Sequence, residues 1–319
     1  MAGEKVLVTG GAGFIGSHLV DSLLAKGYKV RVLDNFTTGK KKNLSSTLSD
    51  IELITGDIRD EEAIKKAVSG VDFVLHQAAL GSVPRSIDDP FTTHECNSTG
   101  TLKLLLAARG AGVQRLVYAS SSSVYGNTPS LPKIETMPPS PRSPYALSKL
   151  SGEIYCQLFS SLYGFETVSL RYFNVFGPRQ DEHSQYAAVI PRFATALLQG
   201  EPITIFGDGS QTRDFTFIEN VVAANLLAMT APKEVAGTAL NIACSGYYSI
   251  LSVGEKLADI LNIPLKINFA KSRPGDVKDS YADISKAKEL INYFPTIDFP
   301  TGLKKTAEWF QAQHLELVK

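Results

Sequence analysis

A glycine-rich turn between an apolar strand and a helix restricts the fold of this chain more than any other feature. The apolar run Val6-Leu7-Val8 is typical of a buried strand, and the sequence TGGAGFIG follows it at positions 9 to 16. Glycines at positions 10, 13 and 16 allow a tight turn, close approach of backbone N–H groups to a pyrophosphate, and close packing of a helix on a strand. Such a turn is a weak signal by itself, so its meaning depends on the residues that follow.

A carboxylate stands at the end of the second predicted strand, about 20 residues after the turn. It is Asp34, and this spacing is typical of a dinucleotide-binding unit. A carboxylate at this place accepts hydrogen bonds from both ribose hydroxyls and repels a 2′-phosphate, which favours NAD over NADP. The residues after the third and fourth predicted strands are expected to meet the adenine and the pyrophosphate; they are Asp57 and Ile58, then Gln77, Ala78 and Ala79.

Short apolar runs alternate with amphipathic stretches through the N-terminal half. This alternation predicts βαβ units, and therefore an α/β fold with a doubly wound parallel sheet of the Rossmann type. We expect residues 1–177 to form the NAD-binding domain with the catalytic site. Residues 178–319 should form a smaller C-terminal α/β lobe over the carboxyl edge of the sheet, with the chain crossing back to the sheet. The predicted strands are 6–8, 29–33, 51–54, 73–75, 116–118 and 167–170, and the predicted helices are 18–26, 61–68, 100–109, 144–163, 189–198, 218–229 and 253–261.

The composition argues against several classes of partner. Lysine plus arginine and aspartate plus glutamate are both 32, so zero net charge gives no reason to expect nucleic acid or an anionic membrane. No apolar stretch approaches the roughly 20 residues that span a bilayer. Three widely spaced cysteines, no histidine pair at ligand spacing and no secretory signal indicate a cytoplasmic protein without a structural metal.

A hydroxyl, a phenol and a lysine are brought together by residues 119–149. Four serines, Ser120 to Ser123, follow a buried apolar run and should stand just past the carboxyl end of a strand. Pro144 suits the first turn of a helix, on which Tyr145 and Lys149 are four residues apart and share one face. Because a neighbouring cation favours phenolate, Lys149 is expected to lower the pKa of Tyr145. The stretch therefore predicts a proton-transfer site.

Together these features resemble the extended short-chain dehydrogenase/reductase family, and within it the UDP-hexose 4-epimerases. The resemblance covers nearly the whole chain. It implies that Tyr145 is the catalytic base, that Lys149 binds the nicotinamide ribose, and that Ser121 hydrogen-bonds the reacting oxygen, with Ser122 as the alternative one residue on. It rests on the glycine turn, Asp57, the serine run ending in Val124-Tyr125-Gly126, Tyr145 with Lys149, and the sequence RYFNVFG at 171–177. Further residues that it places against NAD are Asn35, Phe36, Thr38, Gly39, Asn97 and Phe173.

The residues after the catalytic serine distinguish between reactions of this family. The 4,6-dehydratases carry Asp-Glu there, and decarboxylases of UDP-glucuronate carry a glutamate in the same loop. This chain has Ser122 and Ser123, which cannot act as the acid and base of an elimination. Epimerisation at C4 needs only a base and NAD, so the resemblance favours a 4-epimerase.

The resemblance also indicates which residues bind the UDP-sugar substrate, most of them in the C-terminal lobe formed by residues 178–319. Ser280 stands where galactose-only epimerases carry a bulky tyrosine, and a small residue leaves space for a 2-N-acetyl group. The resemblance is therefore closest to the UDP-N-acetylglucosamine 4-epimerase branch. The residues that it assigns to the UDP-sugar are Ser82, Ser121, Ser122, Ser123, Asn174, Val189, Thr204, Phe206, Arg213, Arg273, Asp276 and Ser280.

The function predicted from the sequence is interconversion of UDP-N-acetylglucosamine and UDP-N-acetylgalactosamine, with UDP-glucose and UDP-galactose as further substrates. Two alternatives stay open, namely a 4-epimerase or decarboxylase of UDP-glucuronate, and a non-catalytic NAD-binding regulator. The resemblance further implies a homodimer joined through the helices predicted at 100–109 and 144–163.

Overall fold

A seven-stranded, all-parallel sheet forms the centre of the protein. The computed structural model describes residues 3–181, 188–271 and 278–318. The strand order in the sheet is β3-β2-β1-β4-β5-β6-β11. Its strands are β1 (Lys5–Thr9), β2 (Lys29–Asp34), β3 (Ile51–Thr55), β4 (Phe73–His76), β5 (Arg115–Ser121), β6 (Glu166–Tyr172) and β11 (Thr238–Ile242).

Helices cover both faces of this sheet. The longer helices are α1 (Phe14–Ala25), α2 (Glu61–Val68), α5 (Gly100–Gly110), α6 (Pro144–Tyr163), α7 (Val189–Leu198), α8 (Ile218–Met229), α9 (Ile250–Leu261) and α11 (Phe299–Val318). The shorter ones are α3 (Val83–Asp88), α4 (Pro90–His94) and α10 (Ser285–Ile291).

The apolar strands explain why both faces are covered. Successive side chains of a strand point to opposite faces. In β1, Val6 and Val8 accordingly pack into one core cluster, with α1 and α8, while Leu7 packs into a second, with α2, α5 and α6. A parallel sheet whose strands are buried on both faces is the doubly wound arrangement that the sequence predicts.

The chain after residue 177 contributes to the sheet as well as to smaller elements. β11 pairs with β6, and α8 packs against α1. The remaining strands form three small sheets beyond the carboxyl edge. They are β7 (Val175–Phe176) with β10 (Thr216–Phe217), β8 (Ile203–Phe206) with β13 (Ile267–Ala270), and β9 (Thr212–Arg213) between β12 (Tyr248–Ser249) and β14 (Asp279–Ser280).

Two predicted helix starts differ from the structure, whereas α5 begins at Gly100 as predicted and continues a helical stretch that begins at Pro90. α1 begins at Phe14, directly after the glycine turn and four residues before the predicted start. α9 begins at Ile250, because the side chain of Ser249 accepts the hydrogen bond from the Ser252 backbone N–H and caps the helix one turn before the predicted start. Within the described residues, no helix is both long enough and apolar enough to cross a membrane.

Candidate active site

A cleft of about 640 Å³ lies along the carboxyl edge of the sheet, where the strand order reverses between β1 and β4. Such a switch point is where open parallel sheets bind ligands. Most of the residues predicted to meet NAD line this cleft: Gly10, Gly13, Phe14, Ile15, Gly16, Asp34, Asn35, Thr38, Gly39, Asp57, Ile58, Gln77, Ala78, Ala79, Tyr145 and Lys149.

Three residues predicted to meet NAD lie outside this lining. Phe173 is fully buried, with its ring beside that of Tyr125, so its side chain offers no contact to a ligand in the cleft. Asn97 is buried and holds the loop after β4 by accepting a hydrogen bond from the Leu80 backbone N–H at 2.8 Å. Phe36 is half-buried, and the Lys41 ammonium lies 5.4 Å from the centre of its ring.

The glycine turn is packed too tightly to admit side chains. Gly10 has φ of +69°, and a Cβ there would lie 2.8 Å from the Ala78 Cα. A Cβ on Gly16 would lie 2.1 Å from the Gly10 carbonyl oxygen. The first turn of α1 carries no acidic residue, and Gly13 provides no side-chain cap, so the helix N-terminus is left to attract an anion. The turn therefore fits the pyrophosphate of a dinucleotide.

Asp34 shapes the part of the cleft expected to hold the adenosine. Its carboxylate accepts hydrogen bonds from the backbone N–H groups of Ala12, at 2.9 Å, and Phe36, at 2.8 Å. Burial raises the pKa of Asp34, and these two hydrogen bonds oppose the rise. Beside it, the Asn35 amide and the Arg59 guanidinium donate to Asp57, and the hydrogen bond from Arg59 holds the pKa of Asp57 well below its usual range.

Tyr145 and Lys149 meet the serine run at the centre of the cleft. The Lys149 ammonium donates a hydrogen bond of 2.9 Å to the Ala119 carbonyl oxygen and lies 5.3 Å from the centre of the Tyr118 ring. Burial lowers the pKa of Lys149 to about 8. Burial also raises the pKa of Tyr145, while a side-chain hydrogen bond with Ser121 opposes that rise.

The expectation that Lys149 lowers the pKa of Tyr145 is therefore not met in the protein alone. The reason is that desolvation raises the pKa of Tyr145, while the Lys149 ammonium group is directed to a carbonyl oxygen. A phenol in this environment needs a further positive charge in the cleft to ionise near neutral pH.

The serines of the run have different surroundings. The Ser120 hydroxyl donates to the buried Glu153 carboxylate at 2.8 Å and so faces the protein interior. The Ser121 hydroxyl oxygen accepts hydrogen bonds from the Ser123 backbone N–H, at 3.2 Å, and the Ser123 hydroxyl, at 2.9 Å. The proton of the Ser121 hydroxyl is therefore available for the hydrogen bond with the Tyr145 side chain. Ser121, Ser122 and Ser123 all line the cleft, and so does Ser82.

A buried polar network behind the serines was not foreseen in the sequence. The Arg171 guanidinium binds both oxygens of Glu153 and donates to the Tyr125 hydroxyl at 2.7 Å. That hydroxyl donates in turn to Asn241 at 2.7 Å. The network ties β5, α6, β6 and β11 together directly below the reactive residues. The RYFNVFG sequence indicated a role for this region but gave no sign of a partner for Arg171.

A second cavity of about 260 Å³ opens from the first and shares Asn174, Val175, Gln180 and Ala188 with it. The Asn174 amide donates to the Asp214 carbonyl oxygen at 3.0 Å, which fixes its position between the two spaces. Five residues predicted for the UDP-sugar line the second cavity, namely Asn174, Val189, Thr204, Phe206 and Arg213.

The remaining predicted UDP-sugar residues lie elsewhere. Ser280, in β14, is the parallel partner of Arg213 in β9 and is half-buried without lining either cavity. Arg273 and Asp276 are outside the described residues. Arg192 and Gln211 line the second cavity, and Lys40, Arg179 and Gln180 line the first; none of the five was singled out from the sequence. The only sequence signal for Arg179 and Gln180 is their position just after Gly177.

Comparison with known proteins agrees with this geometry. Residues 6–243 match the NAD dependent epimerase/dehydratase family. The chain is 39% identical over 311 residues to UDP-glucose 4-epimerase of Mycolicibacterium smegmatis, covering 96% of this chain and 98% of that protein.

Two solved structures are similar over nearly their full length. UDP-N-acetylglucosamine 4-epimerase from Methanobrevibacter ruminantium M1, in complex with UDP-N-acetylmuramic acid, is 40% identical with a TM-score of 0.93, covering 98% of this chain and 100% of that one. UDP-glucuronic acid 4-epimerase from Bacillus cereus, in complex with UDP-glucuronic acid and NAD, is 36% identical with a TM-score of 0.91, covering 97% and 99%. The chain belongs to the NAD dependent epimerase/dehydratase family and is an NAD-dependent epimerase.

Proposed function

We propose that this protein interconverts UDP-N-acetylglucosamine and UDP-N-acetylgalactosamine at C4 and also accepts UDP-glucose and UDP-galactose. The observation that carries the proposal is the joining of two spaces at Asn174, in the cleft that Ser121 and Tyr145 also line. The first cavity has the glycine turn and Asp34 of a dinucleotide site, and the second opens from it at Asn174. A sugar that connects a nucleotide in the second cavity to the cofactor would lie against Ser121 and Tyr145.

The chain's own residues supply the proton chemistry of such a reaction. When bound, NAD supplies a reversible hydride acceptor for C4 of the sugar. Tyr145 takes the proton of the C4 hydroxyl and returns it in the second half of the reaction. Ser121 donates a hydrogen bond to the reacting oxygen, and its orientation is set by the two hydrogen bonds from Ser123. Lys149 would bind the ribose next to the nicotinamide and add its positive charge in a buried place.

Elimination of water or loss of CO2 has less support. Ser122 and Ser123 occupy the positions beside Ser121 in the cleft, and neither can act as a carboxylic acid or its conjugate base. A site with one phenol base and a returning hydride therefore favours epimerisation.

Following the sugar H4 signal by proton NMR tests the proposal directly. With UDP-N-acetylglucosamine and no added reductant, we expect the H4 signal of UDP-N-acetylgalactosamine, whose C4 hydroxyl is axial, to appear. The two sugars should then reach a constant ratio. Tyr145→Phe should reduce turnover by about 10²-fold or more while NAD still binds, because only the base is removed. No epimer from any of the four UDP-hexoses would contradict the proposal.

The proposed preference for acetylated sugars depends on the space at Ser280. This serine lies next to Arg213 in the small sheet bordering the second cavity. Replacing Ser280 with tyrosine should reduce kcat/KM for UDP-N-acetylglucosamine by at least about tenfold and affect UDP-glucose much less, because the added ring would occupy the space of the acetyl group. Ser280→Ala is the matched control. Equal losses for both substrates in Ser280→Tyr would show that Ser280 does not determine the preference for acetylated sugars.

UDP-glucuronate is the second candidate substrate. The Bacillus cereus relative is a UDP-glucuronic acid 4-epimerase, and Arg85 lines the cleft beside Ser82 in this chain. An arginine at this place could pair with a sugar carboxylate. The same NMR experiment with UDP-glucuronate distinguishes the cases, since a galacturonate product supports this candidate and a pentose product indicates decarboxylation.

A further inference from the structure

Arg179 lines the wall of the cofactor cleft in an unusual backbone conformation. Its φ is +68°, in the left-handed region that large side chains rarely adopt. Such conformations persist where the surrounding structure requires them, and they are concentrated at functional sites. The backbone at Arg179 is therefore held in this conformation by its surroundings.

The contacts of the Arg179 guanidinium leave one of its nitrogen atoms unused. Its Nη2 atom lies 2.7 Å from an Asp21 carboxylate oxygen of α1. Its Nη1 atom is buried and has no hydrogen-bond partner among the residues that the structure describes. Buried donors are nearly always paired in folded proteins, so an unpaired one beside a cleft indicates a partner that the cleft would hold.

Neighbouring contacts fix the segment that carries Arg179 against α1. The His18 ring nitrogen Nε2 lies 2.9 Å from the Pro178 carbonyl oxygen. Lys40, on the other side, donates to Asp181 at 2.7 Å. These contacts and the ion pair of Arg179 with Asp21 join residues 178–181 to α1, which follows the glycine turn, and to the loop after β2.

The surroundings identify the missing partner as an anion. The N-terminus of α1 has no acidic side chain in its first turn, and its glycine cap leaves the positive end of the helix uncompensated. Arg179 lines the first cavity, and its contacts with Asp21 and those of Pro178 with His18 hold it against α1, the helix that follows the glycine turn, so the anion belongs to the cofactor. An arginine donor and a helix N-terminus are the two features that proteins combine to bind phosphate groups.

We propose that Arg179 binds the pyrophosphate of NAD through its Nη1 group, and that Asp21 holds the guanidinium in the orientation required. The inference rests on the assignment of the cleft to NAD, and it adds a cationic contact to the backbone contacts of the glycine turn. It does not depend on which UDP-sugar is the substrate.

Titration calorimetry of NAD and of UDP with the NAD-free protein tests this proposal. Arg179→Gln should raise the Kd for NAD by at least about tenfold, the size expected for the loss of one charge-assisted hydrogen bond, and leave the Kd for UDP within about twofold. Arg179→Lys should fall between the wild type and the glutamine variant, because it keeps the charge and loses the fork of N–H groups.

Lys40→Gln is the matched control, since Lys40 lines the same cleft but its ammonium is already paired with Asp181. It should weaken NAD binding less than Arg179→Gln does. An unchanged Kd for NAD in Arg179→Gln would overturn the proposal, as would an equal rise for Lys40→Gln, which would indicate only a general effect of charge.

A rise in the Kd for UDP alone would assign the arginine to the substrate, and an equal rise for both ligands would indicate a structural role; either overturns the proposal. If the glutamine variant does not fold, the Kd for NAD is measured with Arg179→Lys instead. Its melting temperature is compared with that of the wild type to show that the variant is folded. An unchanged NAD affinity in the folded lysine variant would then overturn the proposal.

Discussion

Burial has a larger effect than pairing on the two titrating residues of the site. Lys149 is 4% exposed, and desolvation lowers its pKa although the amino group donates to the Ala119 carbonyl oxygen. Tyr145 is shifted in the opposite direction, towards the neutral phenol, for the same reason. Burial therefore shifts both residues towards their neutral forms, although Lys149 with a pKa of about 8 is still mostly charged at neutral pH. A positive group in the cleft would favour ionisation of Tyr145.

The pKa of Lys149 predicts how the stability of the NAD-free protein depends on pH. The unfolded chain holds the lysine proton up to about pH 10.5, whereas the folded protein releases it at about 8. Between these values the unfolded state binds more protons at Lys149, so this residue contributes a rise in the free energy of unfolding, of about 2 kcal/mol from pH 8 to 10. Burial raises the pKa of Cys156 and of Cys244 to about 12, so these thiols contribute a fall over the same range. The contribution of Lys149 is therefore the difference between the wild type and a variant that lacks this lysine.

Urea denaturation across this pH range measures the effect. From pH 8 to 10, the wild type should gain about 2 kcal/mol in stability relative to Lys149→Met, because the methionine does not titrate. Changing the exposed Lys304, whose side chain is 69% exposed, to methionine should leave the wild-type pH dependence in place. The same pH dependence in Lys149→Met and in the wild type would contradict the assignment to Lys149.

The register of the catalytic serine also belongs to the residue scale. Ser121 hydrogen-bonds Tyr145, and Ser123 holds the Ser121 hydroxyl from the other side. We predict that Ser121→Ala lowers kcat by on the order of 100-fold, the loss typical of one donor to a reacting oxygen. Ser122→Ala should have a much smaller effect on kcat, and the reverse order in steady-state kinetics would move the catalytic role to Ser122.

At the scale of elements, the site depends on how closely α1 and α6 pack on the sheet. Gly16 brings α1 against the turn, and Gly152 brings α6 against β5, where a Cβ would lie 2.3 Å from the Tyr118 hydroxyl oxygen. The network of Glu153, Arg171 and Ser120 then fixes α6 relative to the strands that carry the serines. Small residues and one buried ion pair therefore determine the distances between reactive groups.

Gly16→Ala tests this close packing. The added methyl group would meet the Gly10 carbonyl oxygen at 2.1 Å, so the turn would have to move. We expect a loss of about 1–3 kcal/mol in the free energy of unfolding and a marked loss of NAD affinity. Gly110→Ala is the control, because a Cβ there meets nothing within 4 Å. Normal NAD binding by Gly16→Ala would contradict the role given to the turn.

At the scale of the whole molecule, α5 and α6 carry large apolar side chains that the chain leaves exposed. On α6, Leu147, Ile154, Leu158 and Leu162 are 57%, 46%, 42% and 66% exposed, and on α5 Leu106 is 53% exposed. A patch of this kind on one side of a protein is typical of an interface. We therefore expect these two helices to join two copies of the chain, as the family resemblance implies.

Leu158→Glu combined with Leu162→Glu should convert the dimer into a monomer, because four charges would be buried at the interface. Light scattering coupled to size exclusion gives the mass. Leu315→Glu, at a 57% exposed position of α11, should leave the mass unchanged. A wild-type protein that is already monomeric would contradict the expectation.

The sequence by itself determined the fold class and most of the predicted residues that line the cleft. Alternating apolar strands and amphipathic helices are local patterns, so their order predicts a doubly wound sheet, and the glycine turn, Asp34, and Tyr145 with Lys149 are set by short spacings. The start of α9 was predicted one turn late, because the side chain of Ser249 caps the helix.

Only the tertiary structure decided which distant groups meet. Arg171 with Glu153, Arg179 with Asp21, and Asn241 with Tyr125 lie far apart in the chain, and no periodicity links them. The direction of the Tyr145 pKa was also decided there, because spacing on a helix indicates a neighbour but not how much water the fold removes. Pairing and desolvation depend on three-dimensional packing, which a linear pattern does not contain.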